Sequence, residues 1–307
     1  MRRVRVLGCL AVSALLTAAT AMTAHAEPTA QAITRCGQTI PNGDSYLTRD
    51  LTCWTGFVIA PGSGDPDPVG RTVSIDLRGH RLQGHGRGTA FDVDTFPGFS
   101  NIKVRNGRIN NWERGIAVTG SAAITKVRLT NTERAMDCDG GSCVVTDSVL
   151  RNNRFGIGVF EGNIEMTRST LSGSEVGATI FGALDSGRFS YSAFTRNKVA
   201  VQYLSGPEVS VTAHRNVFTG NGTGILGEAL PPDSDYRVVK ITENAFLANG
   251  DGVHIVVGGL GGSALVAGNL AVGNKGYGIY APGATDGGDN RAARNGKPCV
   301  GVICTPP

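Results

Sequence analysis

The chain has 307 residues, 44 of them glycine, and carries 29 basic against 25 acidic side chains. Three of the basic residues lie in the first five positions, ahead of an apolar run and a small-x-small site at Ala24 to Ala26, the pattern of a secretory signal peptide over residues 1–26. Without that segment the balance is 26 basic to 25 acidic residues, a net charge of +1. This excludes a charge-based argument for nucleic-acid binding.

Export also bears on the cysteines. The signal peptide predicts a secreted, extracellular protein, and no later run is long and apolar enough to predict a transmembrane segment. Six cysteines follow the signal, in local pairs predicted to be disulfides: Cys36 with Cys53, Cys138 with Cys143, and Cys299 with Cys304. None of these pairs has CxxC spacing, so a metal-thiolate cluster is the less favoured alternative.

Residues 27–70 lack a clear repeat and include a Pro/Gly-rich loop. We interpret them as an N-terminal cap, because the open end of a stack of strands exposes unpaired backbone groups. The repeats are predicted over 71–282, followed by a C-terminal tail over 283–307 that holds the last cysteine pair.

A small residue recurs along the repeat region at spacings of 20 to 28 residues, which predicts a solenoid. These anchor positions are Ala90, Gly115, Ala135, Gly156, Gly177, Ala200, Gly224, Gly252 and Gly278. Six residues before each anchor from Gly115 onward lies an apolar side chain, and these are Ile109, Leu129, Leu150, Leu171, Phe194, Phe218, Phe246 and Val272. The regularity predicts one buried position in every rung.

Apolar residues also alternate with polar ones on either side of that position. One and three residues after the anchors, and eleven and thirteen before them, the side chains are apolar, for example Ile116 and Val118; the last rung contributes Leu265 and Ala267. A period of two with frequent glycine favours strands over helices. The prediction is an all-β solenoid with three short strands in each rung, crossed by stacked Ser, Thr and Asn positions that hold the turns.

The repeated Asn-x-apolar and Asn-x-x-Gly-Ile segments, the opening Cys36-Gly-Gln-Thr-Ile40, and the close Cys299-Val-Gly-Val-Ile-Cys304 carry a family likeness. They resemble the exported right-handed parallel β-helix proteins of the pectate-lyase-like superfamily. The resemblance implies a right-handed parallel β-helix. It does not imply one activity, because that scaffold hosts lyases, glycoside hydrolases, epimerases and proteins with no known reaction. The catalytic motifs of pectate lyase and polygalacturonase find no match here.

Outward positions two and four residues after two of the anchors are acidic. They predict one acidic face made of Asp92, Asp94, Asp137 and Asp139. Each pair would lie about 6.6 Å apart along its strand, and the two pairs about 10 Å apart across two rungs. Such carboxylates suit inverting glycoside hydrolysis, and Asp137 with Asp139 could instead hold Ca²⁺. Mutual neutralisation of acids and arginines on a solvated face is the structural alternative.

Basic side chains are expected to approach the same region as substrate-binding groups: Arg105, Arg128, His80 and His85. The resulting hypothesis is a monomeric protein that binds an acidic extracellular polysaccharide, with cleavage or epimerisation as a further step. Ca²⁺ is the one cofactor that the pattern suggests. The alternative is a non-catalytic surface or matrix protein with a structural or adhesive role, and the sequence leaves open whether the chain is an enzyme.

Overall fold

A computed structural model of the chain describes residues 30–59, 71–93, 100–182, 184–204, 209–227, 238–257 and 263–307. The predicted signal peptide, the Pro/Gly-rich loop and Asp94 lie outside these ranges. Throughout the described residues the chain forms short strands and no α-helix, and each strand pairs in parallel with its counterpart one turn later. The described residues therefore contain no helix that could cross a membrane.

Each turn of the solenoid contributes strands to three lateral stacks, which we call sheets A, B and C in chain order. Sheet A is formed by Gln31–Ile33, Gly43–Leu47, Arg71–Asp76, the first part of Ser100–Asn110, the middle of Arg114–Thr130, Ser142–Thr146, Asn163–Thr167, Ser186–Ser190, Ser210–His214, Val238–Thr242, Ser263–Ala267 and Thr285–Asp286.

Sheet B contains the shortest strands. It is formed by Leu51–Thr52, Arg81–Gln83, the ends of Ser100–Asn110 and Arg114–Thr130, Val149–Arg151, Thr170–Ser172, Ala193–Thr195, Val217–Thr219, Ala245–Leu247, Leu270–Val272 and Arg291–Ala293. Sheet C is formed by Phe57–Val58, Thr89–Val93, the start of Arg114–Thr130, Arg134–Asp139, Phe155–Phe160, Val176–Ile180, Val199–Tyr203, Thr223–Gly227, Asp251–Ile255 and Ile279–Tyr280. The prediction of three strands per rung is confirmed.

The core is a set of stacked apolar columns. The predicted column six residues before the anchors is buried from Ile109 to Phe246. Its central rings, Phe194, Phe218 and Phe246, lie parallel with centroids 4.8 Å apart, which matches the spacing between strands of about 4.8 Å. The lateral register of the strands therefore sets the ring stacking.

The last rung departs from the prediction by one residue. Three positions expected to face inward are only partly buried, and these are Leu265, Ala267 and Val272. Their inward neighbours are Ala264, Val266 and Ala271, in register with Val239, Ile241 and Phe246. The prediction is wrong here because the following turn is one residue longer. Asn274 is the counterpart of Asn249 in the ladder of turns, but Asn274 lies four positions before its anchor Gly278, whereas Asn249 lies three positions before Gly252. One inserted residue moves every preceding side chain to the opposite face.

Two ladders of polar side chains run through the turns beside the core. In the first ladder, the backbone N–H of each residue donates to the side-chain oxygen of the residue one turn later. Its members, in order, are Ser148, Ser169, Ser192, Asn216, Asn244, Asn269 and Asn290. In the other, Ser174, Asn197, Asn221, Asn249, Asn274 and Asn295 do the same. The asparagines therefore satisfy buried backbone groups, in agreement with the prediction that they hold the turns.

All three predicted disulfides are present: Cys36–Cys53, Cys138–Cys143 and Cys299–Cys304. The flanking segments join the stack. Gly43–Leu47 pairs with Arg71–Asp76 at the N-terminal end, and Arg291–Ala293 pairs with Leu270–Val272 at the C-terminal end. The described part of the predicted cap thus has the course of the coil itself, while the boundary expected at residue 70 lies outside the described residues and stays a prediction.

Candidate functional site

The outward face of sheet C carries the acidic positions. One column of outward side chains runs through Asp92, Ala117, Asp137, Gly158 and Thr179, each paired with the next by the parallel register. The anchor at Ala90 is therefore in the predicted register. Asp137 consequently lies between two positions with little or no side chain.

Two further outward columns flank this one. On one side lie Arg114, Arg134 and Phe155, which follow one another in register. On the other side Thr119 pairs with Asp139, and Asp139 pairs with Phe160. The central column is thus bordered by cationic and aromatic groups along one edge and by polar, acidic and aromatic groups along the other.

Two adjoining cavities open on this face. The first, of about 410 Å³, is lined by Asp92, Arg114, Ala117, Val118, Thr119, Asp137 and Asp139. The second, of about 400 Å³, is lined by Arg134, Asp137, Cys138, Asp139, Phe155, Ile157, Gly158, Val159, Phe160, Thr179 and Phe181. Because both share Asp137 and Asp139, we treat them as one continuous depression and call it the trough.

Small residues keep the trough open. A β-carbon added at Gly158 would lie only 3.1 Å from Oδ1 of Asp137 and would touch no other group within 4 Å. The space directly above Gly158 is therefore open except for the Asp137 carboxylate on one side. Gly158 lies in an ordinary strand, Phe155–Phe160, so the absence of a side chain there shapes the surface and is not required by the backbone.

Asp137 is a partly buried carboxylate of the trough, with 28% of its side chain exposed. Burial raises its pKa above the usual carboxyl value, and the charges of Arg134 and Arg114 partly oppose the rise. Arg134 Nη1 lies 3.5 Å from Asp137 Oδ1. Asp139, two residues on, is exposed to solvent. The two carboxyl groups therefore differ in environment, which is the arrangement that separates an acid from a base in paired-carboxylate chemistry.

The distal end of the trough is aromatic. Phe160 and Phe181 expose 46% and 47% of their surface, and their ring centroids lie 6.1 Å apart. Phe155 is flanked by Arg134 and Arg154, whose guanidinium carbons lie 5.2 and 5.1 Å from the ring centroid. Large exposed apolar side chains grouped in this way indicate a contact surface.

The structure does not bring the four predicted basic residues to the trough. Arg105 lies on sheet A and pairs with Asp76 at 3.1 Å, and Arg128 lines a different cavity at sheet B. His80 lies 3.4 Å from Asp50, and His85 stacks on Trp54 with centroids 3.8 Å apart. Outward side chains of different sheets point in different directions around a solenoid. Residues that are near the acids in sequence but lie outside sheet C therefore do not face the trough.

The donors present do not fit a dedicated Ca²⁺ site. Nowhere in the described part of the chain do three or more His, Cys, Asp or Glu side chains converge as a metal-binding group. Asp137 and Asp139 alone fall short of the six to eight oxygens that Ca²⁺ takes, and Arg134 beside Asp137 adds a competing positive charge.

Comparison with known proteins gives a family for the fold. Residues 141–295 match the family model described as "Right handed beta helix region". No curated protein matches the chain. Among solved structures, the catalytic domain of a GH87 alpha-1,3-glucanase in complex with tetrasaccharides aligns at 12% identity and a TM-score of 0.35, over 91% of this chain and 68% of that one.

Proposed function

The chain belongs to the right-handed β-helix family, and on this scaffold we propose that it binds a polysaccharide in the trough of sheet C, with Asp137 as the candidate general acid for its hydrolysis. One observation carries the proposal. A shielded carboxylate with a raised pKa lies on the floor of an open depression, between the bare positions Ala117 and Gly158, and exposed aromatic rings border it at one end.

The surface chemistry suits a sugar chain. Sugar rings present apolar C–H faces, which can pack against Phe160 and Phe181, and they carry hydroxyls, which can donate to Asp139 and Asp92. A depression that crosses several turns of a parallel solenoid suits an extended polymer better than a compact ligand. Arg134, held by Asp137, can donate to ring or hydroxyl oxygens at the centre.

The carboxylates also suit bond cleavage. Asp137 and Asp139 are two residues apart on one strand, so their backbone positions are separated by about 6.6 Å. Two side chains that start at this spacing and point to the same face can place their carboxyl groups in the range of about 6.5 to 9.5 Å used by inverting glycosidases. In the proposed step, protonated Asp137 gives its proton to the glycosidic oxygen as the C–O bond breaks. Asp139 takes a proton from the water that attacks the anomeric carbon. Each product then carries one new hydroxyl group.

The charge of the polymer follows from the same groups. A neutral glycan meets no repulsion from the trough carboxylates, whereas a polyuronate would have to lie against Asp92, Asp137 and Asp139. Among the described lining residues, Arg114 and Arg134 are the cations that oppose this repulsion. A neutral chain is therefore the better candidate in the trough, and the acidic polymer expected from the sequence is the second. A protein that serves only as a spacer or adhesive is the alternative, favoured by the continuous ladders and the three disulfides.

Replacing Asp137 and Asp139 together by Asn should abolish hydrolysis and weaken binding of the cognate oligosaccharide at least tenfold, because both changes keep side-chain volume and remove the proton-transfer groups. The free energy of unfolding should change by less than about 1 kcal/mol, because Asp139 is exposed and the partly exposed Arg134–Asp137 pair contributes little once the cost of burying the Asp137 charge is counted. Titration calorimetry and a reducing-end assay, run on a panel of neutral glucans and uronate oligomers, measure both effects.

A matched control removes two acidic charges elsewhere: Glu165→Gln with Glu243→Gln, two exposed residues that line neither the trough nor any other cavity described for this protein. This variant should bind and act like the wild type. If the wild-type protein binds no member of the panel, or if both double variants lose binding equally, the trough is not a glycan site and the spacer role takes its place.

A further inference from the structure

A further cavity, of about 420 Å³ and separate from the two that form the trough, lies at the junction of sheets A and B. It is lined by Gly79, Asn106, Gly107, Arg108, Lys126, Val127, Arg128, Asp147 and Val149. Three of these side chains are cationic and exposed: Arg108, Lys126 and Arg128. We call this cavity the basic cleft.

The cations of the basic cleft are close neighbours by register. Arg108 and Arg128 occupy the same outward position of sheet B on successive turns, so their β-carbons are separated by about the 4.8 Å between strands. Lys126 lies two residues before Arg128, in the turn that leads into the same strand, with a φ of 55°. Like charges that face each other directly across a strand pair are destabilising.

The carboxylates around the basic cleft are committed to other partners. Asp76 accepts from Arg105 Nε at 3.1 Å and from Asn106. Asp147 accepts two hydrogen bonds from the Arg168 guanidinium, of 2.8 and 3.0 Å. These bonds lower the pKa of Asp147 and the charge of Lys126 also helps to lower it, but among the described residues no carboxylate lies within ion-pair distance of Arg108 or Arg128. Other cations along the same turns do have one, as Arg168 and Arg215 show.

We propose that the basic cleft binds the oxyanion groups of an anionic glycan, carboxylate or sulfate. The planar fork of an arginine matches a carboxylate or sulfate through two parallel hydrogen bonds, and Lys126 adds a point charge at the mouth. Gly79 leaves one wall of the cleft without a projecting side chain, because a β-carbon added there would meet no other group within 4 Å. The ligand thereby supplies a negative charge to Arg108 and Arg128, the two cations that have no carboxylate partner among the described residues.

A glycan fits better than a nucleic acid. Single-stranded nucleic acids are held by aromatic stacking together with a long basic groove, and no aromatic ring lines the basic cleft. The cleft spans two turns and three cations, whereas nucleic-acid binding rests on neutralising a longer run of phosphates. Because this site is on another face from the trough, it can hold an anionic chain independently of any reaction at Asp137.

The test uses three probes with the full mature chain: oligogalacturonate, a sulfated dextran oligosaccharide, and single-stranded DNA of equal charge. Arg108→Gln with Arg128→Gln should weaken binding of at least one glycan probe tenfold or more, and added salt should weaken wild-type binding. Arg108→Lys with Arg128→Lys keeps the charge but loses the fork, and should give an intermediate loss. Circular dichroism should show the same β-structure in all variants.

Two control variants separate the sites. Arg188→Gln with Lys198→Gln removes the same charge from exposed positions elsewhere and should bind as the wild type does. The trough variant Asp137→Asn with Asp139→Asn should also keep its binding of the sulfated dextran, which is not a candidate ligand of the trough. The proposal is overturned if the wild type binds neither glycan probe, if the charge control loses as much affinity as the cleft variant, or if DNA binds more tightly than both glycans.

Discussion

Phe218→Ala should lower the free energy of unfolding by about 3 to 5 kcal/mol, the range for truncating a fully buried ring. Phe218 has no exposed surface and is stacked between Phe194 and Phe246 at 4.8 Å on each side, with interplanar angles of 8° and 12°. Its removal leaves two ring faces uncovered. In a solenoid each turn is stabilised mainly by its neighbours, so the loss should extend beyond one rung.

Thr219→Ala is the matched control, because Thr219 is the next residue on the same strand and is partly exposed. It should change stability by less than about 0.5 kcal/mol. Denaturant unfolding followed by circular dichroism measures both. Equal losses from the two variants would contradict the assignment of inward and outward positions.

Asn249→Ala should lower the free energy of unfolding by about 2 to 6 kcal/mol, although no apolar side chain is removed. The fully buried Asn249 side chain accepts from the backbone N–H of Asn221 at 2.9 Å and donates to the carbonyl of Phe218 at 3.0 Å. Truncation removes the partner of both buried groups, at about 1 to 3 kcal/mol for each. The loss arises from unsatisfied hydrogen-bonding groups and not from a cavity alone.

Asn163→Ala provides the comparison, since Asn163 is an exposed residue at the start of the strand Asn163–Thr167, three rungs before Asn249. Its loss should stay near 0.5 kcal/mol. Hydrogen exchange should in addition show faster exchange of the Asn221 amide in Asn249→Ala. A protected Asn221 amide in that variant would mean that the ladder does not hold the turn.

The sequence predicts the core of this fold well because each rung repeats the same constraint. Ile116, Met136 and Ile157 occupy one inward column at a fixed offset from small anchors, and the parallel register keeps them there. The same offset predicts outward positions, and it therefore locates Asp92 and Asp137. It equally locates Phe160 and Phe181, four residues after Gly156 and Gly177, so the aromatic end of the trough carries the same signal.

The register of the last rung and the positions of the basic side chains could not be predicted from the spacing of the repeats. A one-residue insertion after Asn274 leaves the apolar pattern plausible in either register, because Ala267 and Val266 are both apolar. The direction in which a sheet faces is also absent from a linear pattern. Arg128 was expected beside the acids, yet it lies on sheet B, where its neighbour is Arg108. Ion pairs such as Asp147 with Arg168 form between side chains on successive turns, so they too cannot be assigned from the spacing alone.

The central claim, that a glycan lies in the trough, is tested most directly by filling the trough without changing its charge. Gly158→Tyr places a ring over the floor beside Asp137, and tyrosine is well accommodated in strands. Val217→Tyr, at an exposed position of sheet B, is the matched control. Titration of both with the oligosaccharide that binds the wild type should show binding lost in Gly158→Tyr and kept in Val217→Tyr, with both proteins folded. Undiminished binding by folded Gly158→Tyr would contradict the account.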